Sequence, residues 1–151
     1  MKNNNDIFFM KQALLCAKKA FILDEVPVGA VIVKDGKIIS KGFNKSITSN
    51  DTTAHAEIVA LRKACKKFGN YRLNGCTVYV TIEPCAMCAG ALIWARVEKI
   101  IFGAYDSKAG ACGSVFDITA EKKLNHKIKV SGGLLQEECA TIMKEFFKNR
   151  R

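Results

Sequence analysis

The sequence predicts an α/β domain, a sheet layered with helices. Two observations carry that expectation. Short apolar, β-rich runs alternate with longer segments of helical periodicity, in the order helix, hairpin, helix, strand, helix, strand, strand, helix. Asp35-Gly36 stands between two apolar runs, the pairing that closes a two-residue hairpin. With 151 residues, the chain is expected to form one domain over 1–151, large enough to bury a core without disulfides.

Asp6 is the expected cap of the first helix, whose apolar positions Phe9, Ala13, Cys16, Ala17 and Ala20 follow helical spacing to near Asp24. Residues 28–33 read as a buried strand. After the Asp35-Gly36 turn, Ile38, Ile39 and Phe43 continue an antiparallel partner. Asp51 is the expected cap of a second helix running to about Lys67, with Ile58, Leu61, Ala64, Cys65 and Phe68 as its buried stripe and Gly69 at its end. Residues 77–81 form a third strand. Pro84 suits a helix start, so a third helix is expected over 85–96. Residues 100–102 form a fourth strand, followed by a Gly/Ala-rich loop over 103–114, and Val115, Phe116 and Ile118 are expected to pack a short irregular piece. Ile128 and Val130 mark a short fifth strand, and a last helix runs from Leu134 to about Lys148. Trp94 and Met87 read most simply as core.

Apolar residues make up 49% and charged residues 25%, values of a soluble globular domain. No run approaches the roughly 20 apolar residues that span a bilayer, so no membrane segment is expected. The Asn-rich start lacks the apolar core and cleavage site of a secretory signal, which points to the cytoplasm. Lys and Arg number 24 against 14 Asp and Glu, a formal charge of +10. Such an excess serves solubility and also fits a polyanionic partner, because Lys and Arg make most phosphate contacts.

Of the seven cysteines, only Cys85 and Cys88 have ligand spacing. Cys16, Cys65 and Cys139 lie in apolar helical patterns, where a thiol acts as a small hydrophobe. Cys85 and Cys88 fall at i and i+3 in a first helical turn, where the helix dipole favours the thiolate that binds metal. His55, also near a helix start, supplies a third soft ligand. Three such ligands leave a fourth position open, the mark of a catalytic rather than a structural zinc site. Glu57 is then the general base, accepting the proton of an activated water. Residues two apart on a helix point about 200° apart, so His55 and Glu57 meet at one metal only near the helix tip. Alternatives stand beside this reading. Cys-x-x-Cys also occurs in redox pairs and in closed structural zinc sites, for which Cys76 or Cys112 is the best fourth ligand. His55 alone could be a core histidine and Glu57 a solvated charge. Their joint occurrence with Pro84-Cys85-x-x-Cys88 matches the His-x-Glu and Pro-Cys-x-x-Cys signature of zinc deaminases.

Residues 51–58 and 81–91 carry the resemblance to the cytidine deaminase-like superfamily. Residues 26–31, 42–44, 70–73, 101–104, 106–114, 124–126, 138–140 and 146–151 make the chain similar, within it, to the bacterial tRNA-specific adenosine deaminases. The resemblance implies a three-layer α/β/α fold with a mixed five-stranded sheet flanked by helices, a homodimer with one Zn2+ per subunit, and hydrolysis of adenosine to inosine at the wobble position of a tRNA anticodon arm. It implies His55, Cys85 and Cys88 as zinc ligands, Glu57 as proton shuttle and Asn44 as the group that hydrogen-bonds the purine. Val28, Asp106, Lys108, Phe147 and Arg150 are further substrate-binding candidates. Three positions depart from the family pattern: Phe43 stands where Trp is usual, Thr52 where Pro is common, and Cys112 where a small residue is found.

The mechanism this implies starts with extrusion of the wobble base, which is easier from a loop than from a duplex. Hydroxide adds at C6, and Glu57 carries the proton to the ring nitrogen and then to departing ammonia. Asn44 holds the ring in line. Lys144, Lys148, Arg150 and Arg151 surround Phe146 and Phe147 at the basic end of the chain. One Phe is expected in the core, and Phe147 is the one expected to meet RNA by stacking. Two other readings remain: a deaminase of a free nucleobase, nucleoside or nucleotide of the guanine or cytosine type, and a noncatalytic zinc-stabilised RNA-binding module.

Overall fold

The computed structural model describes residues 3–148 and 150. Its elements are α1 (Asn4–Ile22), β1 (Gly29–Lys34), β2 (Lys37–Phe43), α2 (Ala56–Phe68), β3 (Thr77–Ile82), α3 (Ala86–Trp94), β4 (Lys99–Ala104), β5 (Lys129–Ser131) and α4 (Gln136–Lys148). The five strands form one sheet in the order β2-β1-β3-β4-β5. β1 pairs antiparallel with both β2 and β3, while β3–β4 and β4–β5 are parallel, so the sheet is mixed as expected. Asp35 and Gly36 both adopt positive φ, 51° and 75°, the conformation that matches a tight turn to the twist of its strands.

Strand side chains alternate between faces, and the alternation builds two cores. Ala30, Ile32, Val78, Val80, Ile100 and Phe102 face one side with Ala56, Ala60 and Ala64 of α2 and Leu92 and Ile93 of α3. Val31, Val33, Tyr79 and Ile101 face the other with Phe9, Met10, Ala13 and Cys16 of α1 and Cys139 of α4. Helices thus cover both faces of the sheet, giving three layers.

Small residues bring α2 close to the sheet. A Cβ at Gly42 would lie 2.6 Å from both the Ala56 carbonyl oxygen and the Ala60 nitrogen. Two residues earlier on the same strand, the Ser40 hydroxyl donates to the Ala60 carbonyl at 2.7 Å. The end of β2 and the start of α2 are therefore held together, and Asn44 comes to lie beside His55.

Several expectations are corrected. Asn3, not Asp6, caps α1, with its Oδ1 accepting from the Asp6 nitrogen at 2.8 Å. The Asp6 carboxylate instead accepts from the Tyr79 hydroxyl at 2.6 Å. Asp51 does not start α2. Its carboxylate accepts from the Thr53 nitrogen at 2.9 Å and the Thr53 hydroxyl at 2.7 Å, a local turn that keeps 51–54 out of the helix. Phe68 is exposed and lies under the Lys34 ammonium. α3 begins after Cys85, so Pro84 stands before the cap and not in the first turn. Trp94 is 83% exposed, and Met87, Val115 and Phe116 are exposed too, so none of these belongs to the core.

Candidate active site

Two helix N-termini meet at the ends of β2 and β3. His55 is the cap residue of α2 and Cys85 the cap residue of α3, both with extended backbone, and neither spends its side chain on capping. Because His55 stands just outside the helix, it and Glu57 both reach the tip, which meets the geometric requirement read from the sequence. The approaches are fixed by backbone bonds. The Lys45 nitrogen donates to the Ala54 carbonyl at 2.9 Å, and the Glu83 nitrogen to the Ala104 carbonyl at 2.8 Å.

His55, Cys85 and Cys88 place one ligand atom each within 4.8 Å of one another. His55 Nδ1 lies 3.6 Å from Cys85 Sγ and 3.5 Å from Cys88 Sγ. A tetrahedral ion with Zn–S bonds of about 2.3 Å and a Zn–N bond of about 2.0–2.1 Å sets N and S about 3.6 Å apart. The donor set therefore fits zinc in both softness and spacing. Among the described residues no fourth His, Cys, Asp or Glu joins the group, and Cys76 and Cys112 are not members. The closed four-ligand alternative loses its support.

The charges at the site follow from burial and mutual hydrogen bonds. A hydrogen bond from Cys88 pulls the Cys85 thiol down to about 4, with His55 adding to the effect. Donation to Cys85 pushes the Cys88 thiol far up. The hydrogen bond with Cys85 raises His55. Burial raises the Glu57 carboxyl to about 7, and the side chain is only 3% exposed. A buried carboxyl poised near neutrality takes up and releases protons readily.

His55, Glu57 and Cys85 line a cavity of about 190 Å³ together with Val26, Val28, Asn44, Ile82, Glu83, Asp106, Ala109 and Met143. At about 30 Å³ per water this is the volume of roughly six waters, room for one bicyclic base and not for a duplex. The structure thus brings Asn44, Val28 and Asp106 to the same cavity as His55, Glu57 and Cys85. Asn44 is buried, and its Oδ1 accepts from the Ser46 hydroxyl at 3.2 Å. A larger open groove of about 1150 Å³ between α1 and α4 contains none of these groups.

The remaining candidates lie elsewhere. Lys108 is exposed on the loop beyond the cavity wall. Phe147 is exposed while Phe146 is buried against Phe21, the division expected for the pair. Arg150 does not line the cavity. Its guanidinium pairs with Asp24 at 2.5 Å and lies 4.1 Å over the Phe146 ring, which ties down the end of α4. Arg151 lies outside the described residues. Sequence reasoning missed Val26, Ala109 and Met143 as lining residues, and nothing in the spacing signals them. It also missed Glu83, which is 1% exposed although it is an acid. Nothing local signals its burial, because its partners come from a loop 23–31 residues away.

The MafB19-like deaminase family model matches residues 3–151. A Haemophilus influenzae protein named tRNA-specific adenosine deaminase is 48% identical over 100% of this chain and 88% of its own length. An Aquifex aeolicus protein of the same name is 49% identical over 95% of both chains. A solved structure from work on A-to-I editing by tRNA:A34 deaminases superposes with a TM-score of 0.87 at 44% identity, covering 89% of this chain and 98% of the other. On fold, motif and full-length likeness together, the chain belongs to the MafB19-like deaminases and, within them, to the tRNA-specific adenosine deaminase family.

Proposed function

We propose that this chain, acting as one deaminase domain over 1–151, converts the adenosine at wobble position 34 of a tRNA anticodon to inosine, releasing ammonia. The observation that carries this reading is the His55, Cys85 and Cys88 cluster, with His55, Cys85 and Glu57 at the wall of a base-sized cavity. His55, Cys85 and Cys88 would hold one zinc ion per subunit. When bound, zinc lowers the pKa of a coordinated water from about 15.7 towards ~7 and so supplies a nucleophile at neutral pH. Glu57 accepts one proton from the attacking water and delivers it to the purine ring nitrogen, then takes the second from the hydroxyl added at C6 and delivers it to the amine, which leaves as ammonia. Its burial supports both transfers, since the neutral and charged forms are close in energy there. Asn44 hydrogen-bonds the ring and Val28 packs against it, an orienting effect. Asp106 closes the cavity on the side of the anticodon loop, and Lys108 and Phe147 extend the contact outward through phosphate and stacking interactions. Arg150 supports this end indirectly, by fixing α4.

The enzyme works in the cytoplasm, where its tRNA substrate is found, and as a homodimer. Trp94 supports the second point: it stands exposed beside Leu124 and His126 in a cleft at the end of α3, and large aromatics are enriched where subunits meet. Sedimentation of the purified protein would reveal a monomer if the dimer reading were mistaken.

The deciding experiment compares an anticodon stem-loop, free adenosine, free cytidine and free guanine side by side. Inosine from the stem-loop at a kcat/KM far above any of the free compounds is the expected result. Equal or faster turnover of a free base or nucleoside would replace the substrate reading, and zinc-dependent RNA binding with no turnover would replace catalysis altogether.

A further inference from the structure

We propose that Glu83 is a positioning residue that fixes the 106–114 loop against the metal-binding turn and thereby sets the outer wall of the substrate cavity. The proposal rests on the deaminase reading for its kinetic consequence and on the structure alone for its mechanical one.

Glu83 stands between β3 and Pro84-Cys85 and is 1% exposed. A carboxylate so buried must be fully paired, yet among the described residues no cation pairs with it. Its partners among them come from one loop. Oε1 accepts from the Asp106 nitrogen at 3.1 Å and from the Ser114 hydroxyl. Oε2 accepts from the Cys112 nitrogen at 3.0 Å and the Ser114 nitrogen at 3.1 Å.

The loop is shaped around this anion. A Cβ at Gly110 would collide with the Glu83 carboxylate, so the loop closes over it only with glycine there. Next to it, the Ala111 nitrogen donates to the Pro84 carbonyl at 2.8 Å, a second tie to the same turn. Asp106, whose amide is bound by Glu83, uses its own carboxylate to accept from the Lys108 and Ala109 nitrogens at 3.0 and 3.1 Å. Asp106 and Ala109 line the cavity. Glu83 thus connects the turn bearing Cys85 to the wall that meets the substrate, and the two are positioned as one body. Charge-assisted hydrogen bonds to backbone amides suit this task because they are short and directional.

The test uses E83Q and, outside the metal-binding motif, S114A. Gln presents one acceptor oxygen and turns an NH2 group towards amides that are themselves donors. Backbone hydrogen exchange over 106–114 is expected to rise at least about tenfold in E83Q, the size of one lost charge-assisted bond, with exchange in β3 and α3 unchanged. S114A is expected to show a smaller rise over the same residues. For an anticodon stem-loop, both variants are expected to raise KM more than they lower kcat, because the affected wall binds rather than reacts. Zinc content, measured by elemental analysis, is expected to match the wild type in S114A. Unchanged exchange over 106–114 in both variants overturns the proposal, and so does a kcat loss in S114A with KM unchanged. If E83Q does not fold, S114A decides alone. If the wild type makes no inosine, the deaminase reading fails, while the exchange measurement still decides whether Glu83 positions the loop.

Discussion

At the scale of residues, chemistry and support are separate tasks, and they differ in how far the sequence reveals them. Glu57→Ala is expected to keep zinc and fold but lower kcat by about a thousandfold, within the range assigned to a general acid–base group. Inosine formation at the wild-type rate in that variant would remove Glu57 from the mechanism. Cys85→Ser is expected to lose zinc, and metal analysis showing one zinc per chain would contradict the ligand assignment. His55, Glu57, Cys85 and Cys88 were legible because their spacing is local and their residue types are rare outside such sites. Glu83 was not, since before folding a Glu next to Pro reads as an ordinary surface charge. Its meaning lies in four donors brought from 23–31 residues away. Trp94 erred in the opposite direction. Its size and the apolar run around it suggested burial, whereas its position at the last turn of α3 turns it outward.

At the scale of elements, the order of helices and strands was readable, while the starting points of helices were not always. Asp51 has the chemistry of a helix cap, and the same chemistry closes the turn with Thr53 that it makes instead. The delay to Ala56 has a consequence, because it leaves His55 as the cap residue with its ring turned to Cys85 and Cys88 and not spent on capping. The loop before α2 has its own buried anchor. Glu25 is fully buried, and its carboxylate accepts from the Ile47 and Thr48 nitrogens at 3.1 and 2.6 Å. Burial opposes the charge, but those amides outweigh it and hold the carboxyl below 4.5. A depressed folded pKa stabilises the fold above the unfolded pKa, and that stability is lost as pH falls through the folded value. Urea unfolding of Glu25→Ala is therefore expected to show a deficit of ~1–3 kcal/mol at neutral pH, shrinking as the pH drops below 4.5. A deficit that stayed constant down to acid pH would show that the charge is not what matters. In α4 the two phenylalanines divide the labour. Phe146→Ala is expected to cost about 3–5 kcal/mol, since it empties a packed site against Phe21. Phe147→Ala is expected to leave stability within about 0.5 kcal/mol of wild type and to weaken stem-loop binding.

At the scale of the whole molecule, the three-layer arrangement was legible because sheet and helix periodicities were both clear, and because fully apolar strands call for cover on both faces. Which loops would meet at the cavity was not legible, since that depends on the crossover that sets β3 between β1 and β4. Net charge is likewise a property of the whole, and it gives the sharpest separation between the substrate readings. A formal charge of +10 attracts a polyanion and is indifferent to an uncharged nucleoside. If the enzyme holds a folded anticodon arm through about four phosphates, log affinity should fall with log salt with a slope of about −3, a loss of about fiftyfold between roughly 50 and 200 mM. The slope should be the same in Glu57→Ala, because that substitution removes a proton carrier and no phosphate contact. Changing Lys108 to Ala should reduce its magnitude by about 0.7 if that side chain meets one phosphate. A free nucleoside carries no phosphate, so its KM should not move with salt. Stem-loop binding that is equally insensitive would mean that the basic surface serves solubility and that recognition is confined to the cavity around Asn44 and Asp106.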